Sequence, residues 1–390
     1  MKATIDIARH LTEIQPSYIR EILDAAVAPG VISLAGGLPA SDLFPLQLFQ
    51  KALDSVSTVP EVFQYGATQG YTPLLEHLRR TNKIPETHDT MVCNGSQQAL
   101  DLIARAFIDP NDSVAMEAPS YLGALQVFGI SQARIETVPQ LIDGPDLNAL
   151  ETLFDKGNIK LFYAVPDFHN PTGICWSLDC RQKVADLCRH YNVALIEDAP
   201  YRSLRFHGRE LPLVSSFCPE RAFVLNSFSK ISAPGIRIGT VTAPQEWLST
   251  LITIKQSSDL HTNSPLQAML LFLLMHRDFS SHIDNIRGEY AMRYTALTTA
   301  IKDQLTMDYT HNPVEGGMFI WLKLPGHDPL KVARAALEEG LAVVPGDVFF
   351  QKSSNTERES ALRLNFSHTH PDRLNESVAR LNRALKKSNL

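Results

Sequence analysis

Residues 227–239, Ser-Phe-Ser-Lys-Ile-Ser-Ala-Pro-Gly-Ile-Arg-Ile-Gly, carry the most distinctive chemistry in this sequence. Lys230 closes an apolar run that includes Phe223, Val224 and Leu225. A lysine withdrawn from water gives up its proton more easily and becomes a nucleophile toward carbonyl carbon. Ser227 and Ser229 stand two apart, and Arg237 follows seven residues after the lysine. In an extended segment that spacing sets both hydroxyls on one side and Lys230 on the other. Two hydroxyls and a forked guanidinium suit a dianionic phosphate. The bland alternative is a lysine at a strand end beside a solvated Ser/Gly loop.

Five other motifs bear on the same chemistry. Asn94-Gly95-Ser96-Gln97 follows an apolar segment and opens a helix, where the free N–H groups of Ser96 and Gln97 could donate to phosphate. Asn170-Pro171-Thr172-Gly173 reads as a turn after Leu161–Val165, with the Asn170 amide free to donate to a phenolate or carboxylate. Asp198 ends the apolar run Val193–Ile196, and Tyr201 lies three residues on. A desolvated carboxylate there needs a cation, and a protonated pyridine nitrogen is one; Tyr201 would then bond the 3-oxygen of the same ring. Tyr121 could stack on that ring's face, and Arg363, flanked by Leu362 and Leu364, needs an anion such as a substrate α-carboxylate. A condensing lysine, a phosphate cradle and a pyridinium partner together specify pyridoxal phosphate. Each motif alone has a structural alternative: a helix N-terminus, a plain turn, a loop cap, a core tyrosine, a salt bridge within a small domain.

The elements that must position these residues are legible in outline. The middle of the chain alternates apolar strands and helices: strands near Ser113–Ala118, Lys160–Val165, Val193–Ile196, Ala222–Leu225 and Ile236–Thr242, with a helix capped by Ser177. That order predicts a mostly parallel α/β sheet with ligands at the strands' C-terminal ends. Strands at Met318–Leu324, Leu341–Val344 and Ala361–Phe366 and helices from Pro329 and Asp372 predict a smaller α+β domain. A helix over Tyr18–Val27 precedes a Gly36-Gly37 turn. The expected division is an N-terminal arm over 1–45, a large domain over 46–292 and a small domain over 293–390.

Composition narrows the function classes. With 390 residues, 44% apolar and 20% charged, the chain reads as an ordinary two-domain globular protein. A net charge of −6 argues against a nucleic-acid partner. Cys93, Cys175, Cys180, Cys188 and Cys218 are odd in number and form no CxxC pair, which points to reduced thiols rather than disulfides or zinc, with Cys175 and Cys180 as space fillers. His368 and His370 find no further ligands, so no metal is expected, and His169 reads as a packing residue. There is no signal-like h-region, and the longest apolar stretch, Ala268–Met275, is too short to span a bilayer. A soluble, cytoplasmic protein is expected.

In their order, Tyr65-Gly66…Gly70-Tyr71, Gly95-Ser96-Gln97, Tyr121, Asn170-Pro171-Thr172-Gly173, Asp198-x-x-Tyr201, Ser227-x-Ser229-Lys230, Arg237 and Arg363 resemble the class I/II aminotransferases of fold type I. Ser33–Pro39, Gln64–Tyr71, Gly316–Phe319 and Val344–Gly346 are similar to the subgroup with 2-aminoadipate, kynurenine, branched-chain and aromatic aminotransferases. The resemblance implies a seven-stranded large-domain sheet, ping-pong transamination to 2-oxoglutarate and a homodimer with shared active sites. It implies that Tyr65 reaches the neighbouring subunit's phosphate, that Gly36 lies beside the substrate carboxylate and that Arg20 can meet a distal carboxylate. The sequence departs from the family pattern at His169, where Gln is common, and at Ala199, where Asp is common. A β-lyase or decarboxylase on the same scaffold remains an alternative. So does the sensing half of certain bacterial regulators, although their DNA-binding module would find no room before Ile14.

Overall fold

The computed structural model describes residues 5, 7–11, 22, 28–351 and 358–388. The expected helix over Tyr18–Val27 and the candidate Arg20 lie outside the described residues, Ile22 apart. Thirteen strands are described: β1 (Ile32–Ser33), β2 (His88–Cys93), β3 (Ser113–Ala118), β4 (Arg134–Leu141), β5 (Gly144–Pro145), β6 (Ile159–Ala164), β7 (Ala194–Asp198), β8 (Ala222–Ser227), β9 (Gly239–Pro244), β10 (Phe319–Lys323), β11 (Leu341–Ala342), β12 (Val344–Pro345) and β13 (Ala361–Asn365).

The large sheet runs β2-β9-β8-β7-β6-β3-β4-β5. Strands β8, β7, β6, β3 and β4 pair in parallel, whereas β9 is antiparallel to both neighbours and β5 to β4. The expected seven strands are therefore present, and β5 adds a two-residue edge as an eighth. All six residues of β3 are buried, as are four of five in β7, because helices cover both faces of a parallel sheet. The helix Leu178–His190 is one such cover. The Ser177 hydroxyl caps it by accepting from the Cys180 N–H at 3.2 Å, as its sequence signalled.

This topology gathers the chemistry at one edge. The chain leaves β2, β3, β6, β7 and β8 at their C-terminal ends, just before Ser96, Tyr121, Asn170, Tyr201 and Lys230 respectively. Antiparallel β9 enters at that same edge, since Gly239 pairs with both Ser227 and Cys93, so Arg237 arrives there just before its strand begins. The strand expected from Ile236 starts later, at Gly239. Residues Pro234–Ile236 instead form a 3-10 turn and Arg237 is left-handed at φ 51°.

The C-terminal part forms the sheet β10-β13-β12, antiparallel throughout, with helix Pro329–Glu338 against it and helix Pro371–Ser388 packed on that helix. Gly340, at φ 75°, turns the chain out of the first of these helices. Leu341–Val344, expected as one strand, splits in two: β11 pairs with β1 and β12 with β13. The helix Asp278–Gln304 spans both halves of the fold.

Candidate active site

Ser96, Gln97, Tyr121, Asn170, Asp198, Tyr201, Ser227, Ser229, Lys230 and Arg237 line one cavity of about 610 Å³, counting the part open to solvent. Ten residues named from sequence spacing thus meet in one place. The order Ser-x-Ser-Lys acts differently from the extended reading, however. Phe228–Lys230 is a 3-10 turn that begins where β8 ends, so both serines and Lys230 face the same cavity instead of opposite sides.

Lys230 donates from Nζ to the Gly37 carbonyl at 2.8 Å. Burial, and then the nearby Arg363 and Arg237 charges, lower its pKa to about 8. A useful fraction of the amine is therefore neutral near physiological pH, the state needed for attack on a carbonyl. Asp198, 4% exposed, moves the other way: burial raises its carboxyl to about 7, opposed by a hydrogen bond from Tyr163. That bond, from the Tyr163 hydroxyl to Asp198 Oδ2, is 2.8 Å long.

Tyr163 was read only as part of an apolar strand. The available signal was its period: Tyr163 in β6 and Val165 just past the strand's end stand two apart, and both line the cavity. Tyr121 donates to Gln97 Oε1 at 3.1 Å, and burial pushes its phenol to about 12. Tyr201 accepts from Asn170 Nδ2 at 3.4 Å.

Arg363 is 6% exposed and sits between the rings of Phe319 and Phe349, at 4.6 and 5.0 Å from their centroids. It does not line the cavity but reaches it through Asn170, donating to Oδ1 at 2.9 Å, and it also donates to the Ala35 carbonyl. Among the described residues no carboxylate pairs with it, so none of them supplies the small-domain salt bridge, and its Nε has no partner. Burial lowers its pKa to about 10. Gly36 is buried between Ala35 and Gly37, the two residues whose carbonyls meet Arg363 and Lys230. Tyr65 is not brought to this cavity; it is 79% exposed and edge-on to His261.

The departures also have definite surroundings. His169 is buried with its Nδ1 3.0 Å from the Thr172 hydroxyl, and burial drives its pKa down to about 3, so it stays neutral. Cys175 does more than fill space: its sulfur lies 3.0 Å from Arg205 Nη2 and 3.7 Å from Asp167 Oδ1. Among the described residues no group of three or more His, Cys, Asp or Glu side chains could hold a metal, and no helix is long and apolar enough to cross a membrane.

The donor set fits pyridoxal phosphate. Among the described residues Asp198 Oδ1 and Ser229 Oγ are buried without a hydrogen-bond partner, one a waiting anion and the other a waiting hydroxyl. The cavity wall carries the cations Lys230 and Arg237 against the single carboxylate Asp198, an excess suited to a phosphate. Gly95, at φ 81°, leaves no room for a Cβ, which would lie 2.4 Å from Arg237 Nη2. The arginine can press on the helix opening only because that residue is glycine.

The family model described as aminotransferase class I and II matches residues 30–381. The chain belongs to this family. This aminotransferase is 36% identical over 381 residues to a 2-aminoadipate transaminase of Thermus thermophilus, covering 96% of the chain and 94% of the relative. It is 34% identical to an aromatic-amino-acid aminotransferase of Thermococcus litoralis, covering 98% and 95%. Among solved structures it superposes on an α-aminoadipate aminotransferase of Thermus thermophilus complexed with N-(5'-phosphopyridoxyl)-L-leucine, with a TM-score of 0.90, 34% identity and 98% of each chain covered. The fold is that of the type I pyridoxal-phosphate transferases, and this aminotransferase is a pyridoxal-phosphate-dependent transaminase.

Proposed function

We propose that this aminotransferase takes its amino group from an L-amino acid of 2-aminoadipate, aromatic or branched-chain type and passes it to 2-oxoglutarate in two half-reactions. The observation that carries the substrate reading is Arg363: a buried guanidinium, without a carboxylate among the described residues, one hydrogen bond from Asn170. An α-carboxylate common to donor and acceptor would complete its fork. The names of the relatives at 36% and 34% identity support 2-aminoadipate and aromatic donors, and the phosphopyridoxyl-L-leucine bound in the solved relative supports a branched-chain one.

In this reading Ser96, Gln97, Ser227, Ser229 and Arg237 hold the cofactor phosphate, with Tyr65 of the second copy reaching in across a homodimer interface. The 79% exposure of Tyr65 suits that task. Tyr121 covers the ring, Asn170 and Tyr201 meet its 3-oxygen, and Asp198 Oδ1 keeps its nitrogen protonated. Bound there, pyridoxal phosphate supplies an aldehyde that condenses with amines and a ring that accepts the electron pair left on the substrate Cα. Lys230 Nζ, neutral in part because its pKa falls to about 8, would take the proton from the substrate Cα and deliver it across the linking nitrogen to the cofactor's C4′ carbon. Gly36 flanks the substrate carboxylate, and Arg20 serves a distal carboxylate where the donor has one.

The working form is a cytoplasmic homodimer. Its arm, large domain and small domain span 1–45, 46–292 and 293–390. Initial rates for 2-aminoadipate, kynurenine, phenylalanine and leucine with 2-oxoglutarate test the proposal. Formation of glutamate with at least one of them supports it; amino-acid breakdown to an oxo acid and ammonia without any acceptor contradicts it.

A further inference from the structure

The turn that opens helix Ser96–Phe107 is fastened from behind by a buried polar knot. Lys255, 0% exposed, donates from Nζ to Gln98 Oε1 at 3.0 Å and to both Asp259 carboxylate oxygens at 2.9 Å. Three ammonium donors thus meet three acceptors. Asp259 Oδ2 also accepts from Asn94 Nδ2 at 2.6 Å and from Gln98 Nε2 at 2.7 Å. Gln98 Oε1 accepts the Asn94 N–H at 2.8 Å, and the Asn94 carbonyl accepts from Arg237 Nη2 at 3.2 Å. The residues on either side of Gly95-Ser96-Gln97 are therefore fixed by one lysine–aspartate pair on a different helix, Gln245–Asp259. None of Asn94, Gln98, Lys255 or Asp259 lines the cavity, whereas Ser96, Gln97 and Arg237 do.

We propose that Lys255 and Asp259 are positioning residues for the cofactor phosphate, holding the Asn94–Gln98 turn and Arg237 as a preformed cup. The inference rests on the reading that Ser96, Gln97 and Arg237 receive the phosphate. A buried lysine is costly to place, and this one is matched in every donor, directly to Gln98 and through Asp259, which in turn holds Asn94 and Gln98. Without the knot the turn is ordered only when ligand arrives, and affinity falls by that ordering cost. The cost belongs to the phosphate end of the cofactor alone. The ring end is built from Asp198, the last residue of β7, and from Tyr201 and Asn170 beyond the ends of β7 and β6.

The test compares pyridoxal phosphate with pyridoxal, which lacks the phosphate, in titrations of apoenzyme. Lys255→Met and Asp259→Asn are each expected to raise the pyridoxal phosphate dissociation constant about tenfold, with the value for pyridoxal within about twofold of wild type. Asp259→Asn preserves shape at a side chain that is 24% exposed, so it carries the test should Lys255→Met fail to fold. Equal losses for the two ligands would mean a general structural brace and overturn the inference, as would no loss for either. Arg237→Gln serves as the reference. If it separates the two ligands while the Lys255 and Asp259 variants do not, the inference alone falls. If it too fails to separate them, the phosphate assignment falls and takes the inference with it.

Discussion

Replacing Tyr163 by Phe removes one hydroxyl and leaves the ring that packs in β6. The lost bond is the 2.8 Å donation to Asp198 Oδ2, and it goes to a carboxylate that is 4% exposed. Hydrogen bonds to charged groups are worth about 1.5–3 kcal/mol, and one pKa unit corresponds to about 1.4 kcal/mol. The Asp198 carboxyl, already raised to about 7 by burial, should therefore rise by a further one to two units, roughly. In the proposed site its charged form is the one that would pair with the cofactor's pyridinium. At pH 7 that form drops from about half the apoenzyme to between about a tenth and a hundredth, so the apparent cofactor dissociation constant should climb about 5- to 50-fold.

The ratio between variant and wild type should shrink as pH rises toward about 9, because Asp198 then ionises in both. Titrating the two apoenzymes with pyridoxal phosphate between pH 6 and 9.5, by absorbance, measures it; the cofactor's own ionisation is common to both and cancels in the ratio. A ratio of one, or a ratio independent of pH, would refute the reasoning.

Arg363→Leu should raise KM for both amino acid and oxo acid by roughly 30-fold or more, the cost of deleting one partner of a buried charge pair. The pyridoxal phosphate dissociation constant should stay near wild type; steady-state kinetics and cofactor titration check the two halves. Glu117, 1% exposed, accepts from Gln140 Nε2 at 2.8 Å and Trp176 Nε1 at 3.1 Å, and burial raises its carboxyl to about 8. Because the folded pKa exceeds the unfolded one, this group favours folding below the ordinary carboxylate range and loses that benefit as pH climbs toward 8. Glu117→Gln mimics the protonated form, so thermal unfolding should show the variant gaining on wild type from pH 5 to pH 8; a constant difference would contradict it.

The candidate site was legible because parallel strands announce themselves as apolar runs, and the residue that follows each run falls at the sheet's working edge. Asn170, Asp198, Tyr201, Lys230 and Arg237 all follow or precede such runs, and all line the cavity. Two kinds of residue escaped this logic. Tyr163 lies inside an apolar run, where an aromatic reads as filler, and its hydroxyl declares itself only once β6 and β7 are paired and Asp198 stands opposite. Lys255 and Asp259, four apart on a helix, resemble an ordinary surface ion pair in sequence. Burial under the Asn94 turn is a long-range property that spacing does not encode. The Ser227–Lys230 turn departs from the extended reading because a strand's alternation was carried three residues past its end. Tyr65 does not line the Lys230 cavity and is 79% exposed, so the part proposed for it depends on a second copy that one chain's sequence does not display.

The most direct test of the account concerns the amine on which it turns. Enzyme loaded with pyridoxal phosphate is reduced with borohydride, digested and mapped by mass spectrometry. The account predicts the phosphopyridoxyl mass on Lys230, the buried amine lowered to about 8, and its loss from Lys230→Ala together with the amino-acid-dependent change in visible absorbance. Label on another lysine, or no label on a protein that still transaminates, would contradict it.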